Sequence, residues 1–327
     1  MSEMRLIEAV RDGLREELAA DSSVFLIGQD IAVNGGVFRV TEGLLEEFGP
    51  ERIIDSPLAE SGMVGVAVGA AMNGLRPVVE IQFADFIFPA FNQLVSEAAR
   101  MYYRTNGEYS VPLVIRAPYG GGVRGGLYHS QSVEAYFAHV PGLKVVVPSS
   151  PYDAKGLLKA AIRDDNPVLF FEHKLAYNTV SGEVPQGDYT VPIGKAVVRR
   201  EGQQLSLISY GLSVHHCLEA ADTLSAEGID CEVVDLRTVS PLDTATLLES
   251  VKKTGRACIV HEDNLTGGGG AEVAAIIAKD AFEFLDAPVQ RVAAPDVPSF
   301  PYSPNLEDAL LPGPPDIVRM ARELSAY

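Results

Sequence analysis

Three short segments of this 327-residue chain place a chemically capable side chain beside apolar or glycine-rich sequence. The first, ESGMVGVAVGAAM, begins at Glu60 and follows the apolar Leu58. A carboxylate in such a place can transfer protons, although at the start of a helix it can also simply complement the helix dipole. Because glycine weakens a helix by about 1 kcal/mol, the spacing of Ser61, Gly65 and Gly69 predicts a face packed closely against another helix.

The second segment, EIQFADFIFPAF, ends a predicted strand and continues with Gln82 and four phenylalanines, Phe83, Phe86, Phe88 and Phe91. Aromatic side chains in an α/β protein usually belong to the core. At the carboxyl end of a parallel strand, where such proteins bind ligands, a phenylalanine can instead stack on a flat heteroaromatic ring. The residues alone leave both interpretations open.

The third segment, GGGVRGGLYHSQS, has five glycines and matches neither common phosphate-binding fingerprint. It presents His129 on a polar loop after a predicted strand, which makes this histidine the preferred general acid or base among the six in the chain. A further glycine-rich turn follows His261 and can hold an anion at a helix start. Its acidic residues Glu262 and Asp263 favour tight packing of the turn instead.

The elements that must position these side chains form two series of apolar strands and helices, so the fold class is α/β with two tandem domains. The predicted domains are residues 1–175 and 194–327, joined by a linker at 176–193. An amphipathic helix is expected over residues 1–18. In the first domain, strands are predicted at 24–28, 77–81, 113–116, 145–148 and 168–172, and helices at 60–72, 90–100 and 152–163. In the second, strands are predicted at 205–209, 231–235, 257–261 and 289–292, and helices at 214–226, 244–253, 271–284 and 314–325. Uninterrupted apolar strands predict parallel sheets covered on both faces.

The composition excludes several classes of protein. Hydrophobic residues make up 47% of the chain and the mean hydropathy is +0.11, which is globular rather than disordered. No apolar run approaches the ~20 residues of a membrane span, and the amino end is no targeting peptide, so we expect a cytoplasmic protein. The net charge of −18 disfavours nucleic-acid binding and suits either solubility or a basic protein partner. The three cysteines lack zinc-site or disulfide spacing.

Taken together and in this order, the segments resemble the β subunit of the thiamine-diphosphate-dependent 2-oxo acid dehydrogenases. The resemblance covers essentially the whole chain and includes GGVFRVTEGL, PLAESG, EIQFADFIFPAF, YHSQS, PSSPYDAKGLL and VVDLRTVSPLD. It implies a pyrimidine-binding thiamine-diphosphate domain followed by a transketolase C-terminal-type domain, with the cofactor bound between subunits.

The resemblance also implies roles for individual residues. Glu60 is the carboxylate that hydrogen-bonds the aminopyrimidine ring and so promotes removal of the thiazolium proton. Phe86 stacks on the pyrimidine, and Leu58 and Gln82 contact it. His129 handles the substrate and assists acyl transfer to the lipoyl group.

One motif is absent. Thiamine enzymes bind the diphosphate through magnesium with a GDG sequence and a later asparagine element, and this chain has no GDG. Its Asp12-Gly13 pair falls inside the first predicted helix. The resemblance therefore implies that an α subunit binds the magnesium and supplies the other half of the site in an α2β2 heterotetramer.

Family members often hold a structural potassium ion in the first domain. The matching positions are Val111, Leu113, Val114, Ala161, Asp164 and Asn166. Val114 replaces a hydroxyl-bearing residue of some relatives, so the expected ligands are mostly backbone carbonyls.

The expected reaction is oxidative decarboxylation of a branched-chain 2-oxo acid with reductive acylation of lipoyl-lysine on a transacylase core, since FADFIFPAF and LYHSQSVEAYFAH look more like the branched-chain enzymes. The acidic surface suits the basic subunit-binding domain of that core. Pyruvate and acetoin dehydrogenases are alternatives within the class. A non-catalytic assembly module and a self-sufficient transketolase-like or pyruvate-oxidoreductase-like enzyme are alternatives outside it.

Overall fold

The computed structural model describes residues 1–327, which divide into two compact units. The first unit comprises residues 1–119 and 136–193, and the second comprises residues 120–135 and 194–327. The sequence predicts segment 120–135 inside the first domain. The structure groups it with the second unit, because its backbone and side chains bond to residues beyond 194.

The first unit contains one parallel sheet, its covering helices and a short antiparallel ribbon. Its elements are β1 (Ser2–Arg5), α1 (Leu6–Ala20), β2 (Val24–Gly28), α2 (Leu44–Phe48), β3 (Ile53–Asp55), α3 (Glu60–Met72), β4 (Arg76–Glu80), a π-helix (Gln93–Ala98), α4 (Ala99–Arg104), β5 (Val114–Tyr119), α5 (Glu134–Ala138, begun in segment 120–135), β6 (Lys144–Val146), α6 (Pro151–Arg163), β7 (Val168–His173), α7 (Ala176–Thr179) and β8 (Ser181–Val184).

Six strands of this unit pair in the order β6-β7-β5-β4-β2-β3, and all of these pairings are parallel. Every residue of β2, β5 and β7 is buried, as the apolar runs predict for a sheet covered on both faces. The chain passes from β2 to β3 on one side and returns to β4 on the other. The strand order therefore reverses between β2 and β4.

The amino-terminal and linker predictions need correction. Residues Ser2–Arg5 are a strand rather than the start of a helix, and they pair antiparallel with β8. Residues 176–184, predicted as linker, form α7 and β8 and belong to the first unit. The reason is that β1 and β8 pair, so each strand satisfies backbone hydrogen bonds of the other.

A charged network lies at the centre of the sheet. Arg116 of β5 is fully buried and binds both carboxylate oxygens of Glu172 on β7, at 2.8 and 2.6 Å, and Glu80 of β4 at 2.6 Å. The Tyr177 hydroxyl also donates to Glu172. Burial raises the pKa of Glu80 and of Tyr177. Burial also opposes the charge of Arg116, but the two carboxylates outweigh it and raise its pKa.

The second unit also contains one sheet with helices on its faces. Its elements are β9 (Val197–Arg200), β10 (Leu205–Ser209), α8 (Ser213–Ser225), β11 (Cys231–Asp235), β12 (Thr238–Ser240), α9 (Thr244–Thr254), β13 (Ala257–Asn264), α10 (Gly269–Asp280), β14 (Gln290–Ala294), α11 (Pro304–Leu310) and α12 (Pro314–Ser325).

The sheet of this unit has the order β14-β13-β10-β11-β9. The inner pairings are parallel as predicted, whereas the edge strand β9 runs antiparallel to β11, which makes the sheet mixed. Helices α8 and α12 cover one face over a core that includes Leu207, Val233 and Val260. None of the helices of either unit is both long and apolar enough to cross a membrane.

Candidate active site

The first unit gathers its predicted cofactor residues at one edge of its sheet. Glu60 follows β3 and Gln82 follows β4, and Gly28 at the end of β2 is in register with the last residues of both strands. In open α/β sheets, ligands bind at carboxyl edges where the strand order reverses. The predicted residues therefore lie at the place where this architecture binds ligands.

Glu60 is the first residue of α3 and is partly exposed. Its carboxylate lies at the positive end of the helix dipole, where negative charge is stabilised. The preceding Leu58 is 71% exposed, and α3 presents Gly62, Gly65 and Val66 to solvent. A helix that is apolar on every side and partly uncovered indicates contact with another protein.

Gln82 and Phe86 lie in the turn after β4. The Gln82 side-chain amide donates to Asp30 Oδ2 at 3.3 Å and to the Gln29 carbonyl at 3.5 Å, which ties the ends of β2 and β4 together. The Phe86 ring is partly exposed and packs edge-on against Phe83, with centroids 5.8 Å apart. The ring is therefore not wholly buried in the core, and its role in stacking stays a prediction.

His129 belongs to the second unit and is partly exposed. The backbone N–H of His129 approaches the Gly126 carbonyl at 3.4 Å, after a single 3-10 turn. The Gly120 N–H donates to the Gln131 carbonyl at 3.0 Å and closes the base of the loop. A Cβ on Gly125 would lie 2.7 Å from the Cβ of His129, so glycine is required for the loop to fold this tightly.

Buried side chains of the second sheet bond to both ends of this loop. Glu262 of β13 accepts hydrogen bonds from the Gly121 N–H at 2.5 Å and the Ser132 hydroxyl at 3.3 Å. The Tyr210 hydroxyl, just after β10, donates to Glu134 at 2.8 Å. These bonds connect the two ends of the loop to the carboxyl edge of the second sheet.

Burial shifts the pKa values of the carboxyl groups near these bonds. Burial, together with the charge of Asp263, raises the pKa of Glu134 to about 8. Burial also raises the pKa of Asp263 to about 6, and Glu262 contributes to that rise. The raised pKa of Glu134 favours its neutral form, which reduces the repulsion among Glu134, Glu262 and Asp263.

The second glycine-rich turn packs tightly, as its acidic residues predict. His261 is fully buried, and burial lowers its pKa to about 4, so its ring is neutral near pH 7. A Cβ on Gly270 would lie 2.5 Å from the ring, and one on Gly268 would lie 2.7 Å from it. The glycines therefore let the imidazole lie against the first turn of α10.

Sequence reasoning missed several carboxylates that shape these edges. Asp55 ends β3 and accepts the N–H groups of Ala32 and Val33 at 2.7 and 3.3 Å, and Asp30 contacts Gln82. Their position at the end of an apolar strand, or two residues beyond it, was the available signal. Glu307, which binds the His129 loop, had no such signal, because it follows no predicted strand or helix.

The predicted potassium positions lie at the opposite edge of the first sheet. They are grouped around the amino ends of β5 and β7 and the carboxyl end of α6, and are Val111, Leu113, Val114, Ala161, Asp164 and Asn166. The Leu113 carbonyl accepts the N–H of Val168 at 2.9 Å, and Lys144 forms an ion pair with the Asp164 carboxylate. No group of three or more His, Cys, Asp or Glu side chains in the chain is arranged to hold a metal ion.

Comparison with known proteins agrees with this architecture. Residues 2–180 match the pyrimidine-binding domain of transketolase, and residues 194–317 match the transketolase C-terminal domain. A split-gene transketolase, solved as an inactive beta4 tetramer, superimposes with a TM-score of 0.81 over 99% of this chain and 98% of that one. At 24% identity, that structure establishes the fold alone.

Two relatives from Bacillus subtilis (strain 168) are similar over the full length of both chains. The 2-oxoisovalerate dehydrogenase subunit beta is 55% identical over 327 residues, and the pyruvate dehydrogenase E1 component subunit beta is 51% identical over 327 residues. The expected resemblance is thereby confirmed, and with it the two transketolase-type domains. The chain belongs to the family of β subunits of the thiamine-diphosphate-dependent 2-oxo acid dehydrogenases.

Proposed function

We propose that this chain supplies the β half of an active site that oxidatively decarboxylates a branched-chain 2-oxo acid and reductively acylates lipoyl-lysine on a transacylase core. The observation that carries the proposal is the position of Glu60 at the start of α3, on the sheet edge that also holds Gln82 and Phe86. The branched-chain substrate is favoured over pyruvate by the higher identity to the 2-oxoisovalerate enzyme subunit, 55% against 51%.

The side chains at this edge fit the aminopyrimidine of thiamine diphosphate. When bound, the cofactor supplies a carbon nucleophile for the 2-oxo group and an electron sink for the charge left by departing carbon dioxide. With the cofactor bound, Glu60 would hold and transfer a proton at a ring nitrogen, Gln82 and Leu58 would contact the pyrimidine, and Phe86 would stack on it. His129 moves a proton at the substrate and during acyl transfer.

The partner is an α subunit that supplies the diphosphate and magnesium site, in an α2β2 assembly. Two features support this: the sequence has no GDG motif, and α3 leaves apolar surface uncovered next to Glu60. Exposed apolar surface beside a candidate site is typical of a subunit interface.

The test is dye-linked decarboxylation by the chain with and without its coexpressed α partner, in magnesium and thiamine diphosphate. We expect turnover only with the partner, and faster on 3-methyl-2-oxobutanoate than on pyruvate. A preference for pyruvate would keep the mechanism and overturn the substrate. Turnover by the chain alone would overturn the half-site proposal and favour a self-sufficient transketolase-like enzyme.

The same preparation tests the proposed contact with the transacylase core. A net charge of −18 would attract a basic subunit-binding domain, and attraction between exposed charges weakens with salt. We therefore expect the assembled dehydrogenase to bind its core less tightly at high ionic strength. Binding that is insensitive to salt would contradict a contact of this kind.

A structural potassium ion remains a proposal for the opposite edge, and the residues fit it only in part. Backbone carbonyls such as those of Leu113 and Ala161 each accept one hydrogen bond and retain a second lone pair. The Asp164 carboxylate, by contrast, already pairs with Lys144. The Arg76 guanidinium also donates to the backbone carbonyl of Asp164 at 3.1 Å. Greater thermal stability in potassium than in sodium chloride would support the ion, and equal stability would contradict it.

A further inference from the structure

We infer that Glu307 is a positioning residue for His129, which it serves by anchoring the glycine-rich loop from the side of the C-terminal domain. The inference rests on the proposed role of His129. Glu307 lies on α11, and its side chain is fully buried. It accepts the Gly122 N–H at 3.0 Å, the Arg124 N–H at 3.2 Å and the Arg124 guanidinium at 2.7 Å.

The loop needs such an anchor because its sequence does not order itself. Glycine loses more conformational freedom on folding than any other residue, and five of the seven residues from Gly120 to Gly126 are glycines. Gly122 and Arg124 both have positive φ angles, of 77° and 62°, which turn their N–H groups toward a common acceptor. One carboxylate that binds both groups therefore fixes the turn that precedes His129.

Neighbours of Glu307 complete the contact. The Tyr302 ring occupies the space beside Gly126, where a Cβ would lie only 2.4 Å from it. Leu311 lies against Gly121, since a Cβ added to this glycine would be 3.2 Å from the Leu311 side chain. The segment around α11 thus touches the loop through Tyr302, Glu307 and Leu311. Glu307 provides the buried charged contact, and the exposed Asp308 adds a second ion pair to Arg124 at 2.6 Å.

The loop also occupies a place where an α/β domain would ordinarily bind a ligand. In the second sheet the strand order reverses between β10 and β13. Tyr210 follows β10 and Glu262 lies in β13, and both bond to segment 120–135. The edge of this sheet where a ligand would ordinarily bind therefore holds the glycine-rich loop.

The test compares Glu307→Gln with Asp243→Asn in the assembled α2β2 enzyme. Asp243 is a matched control, because it is a buried carboxylate of the same unit that accepts the backbone N–H groups of Ala196 and Thr246. We expect Glu307→Gln to lower kcat about 10- to 100-fold, as misplacement of a reacting group does, with KM little changed. Hydrogen exchange of the peptide spanning 120–132 should accelerate at least tenfold. Asp243→Asn should change neither quantity.

Combination with His129→Ala separates positioning from general damage. If Glu307 acts through His129, adding Glu307→Gln to His129→Ala costs no further activity. A multiplicative loss in the double variant, or unchanged exchange in Glu307→Gln, would overturn the inference. If His129→Ala alone left turnover intact, the proposed function would fail at that residue, whereas the exchange data would still decide whether Glu307 orders the loop. Should Glu307→Gln not assemble, Arg124→Gly permits the same φ angle, removes the side-chain bonds to Glu307 and Asp308 and should shift exchange in the same direction.

Discussion

Replacement of Glu60 by glutamine is expected to lower kcat of the assembled enzyme about 100- to 10,000-fold, the usual contribution of a positioned proton-transfer group. Glutamine keeps the shape of the side chain but cannot give up a proton. The measurement is steady-state oxidation of 3-methyl-2-oxobutanoate by the α2β2 complex. Normal turnover would support the alternative in which this chain is a non-catalytic assembly module.

The control for this variant is Glu272→Gln. Glu272 lies in the first turn of α10 and is exposed, so it shares with Glu60 only the favourable position relative to a helix dipole. Loss of that interaction costs about 0.3–1 kcal/mol of stability and no activity. Equal effects of the two substitutions on turnover would mean that Glu60 acts through the helix dipole alone.

Replacement of Arg116 by methionine is expected to destabilise the first unit by about 3–5 kcal/mol, because it leaves Glu80 and Glu172 buried without their partner. The midpoint of urea unfolding measures the loss. Arg15→Met is the matched control, since Arg15 pairs with Glu47 at the surface. Exposed ion pairs contribute at most about 1 kcal/mol, so the control midpoint should change little.

The deficit of Arg116→Met should also depend on pH. Burial already raises the pKa of Glu80 in the intact protein, and loss of the guanidinium raises it further. Between the unfolded and folded pKa values the folded variant binds more protons, so its stability falls as pH rises through that interval. We expect a smaller deficit at pH 5 than at pH 8. A deficit that is constant with pH would show that lost packing, rather than uncompensated charge, accounts for it.

Local patterns were sufficient to predict many of the regular elements. The predictions for β2, α3, β10, β11 and α12 coincide with the structure, because each contains a continuous apolar run or an amphipathic period. The parallel order of the inner strands followed from the same runs. Elements without such runs, such as β9 and α11, were missed because only their tertiary neighbours stabilise them.

The placement of candidate residues at strand ends was predictable to a similar degree, whereas their roles stay predictions. The order of strands explains why Glu60 and Gln82, separated by more than twenty residues, lie on one edge. The anchoring of His129 was not predictable, because Glu307 lies 178 residues further along the chain and only folding brings it to Gly122. Sequence identifies residue types at strand ends, whereas long-range backbone acceptors become visible only in three dimensions.

The grouping of segment 120–135 with the second unit has a consequence for modularity. The match to the first domain ends at residue 180 and the match to the second begins at residue 194, which suggests one boundary between two independent domains. The chain in fact passes between the compact units three times, after residues 119, 135 and 193. A fragment that begins at residue 194 would lack the loop whose N–H groups bond to its buried Glu262 and Glu307, and the complementary fragment would carry that loop without its support. Gene splitting or domain exchange at the obvious boundary would therefore divide one folding unit, and a workable exchange must transfer residues 120–135 together with the C-terminal domain.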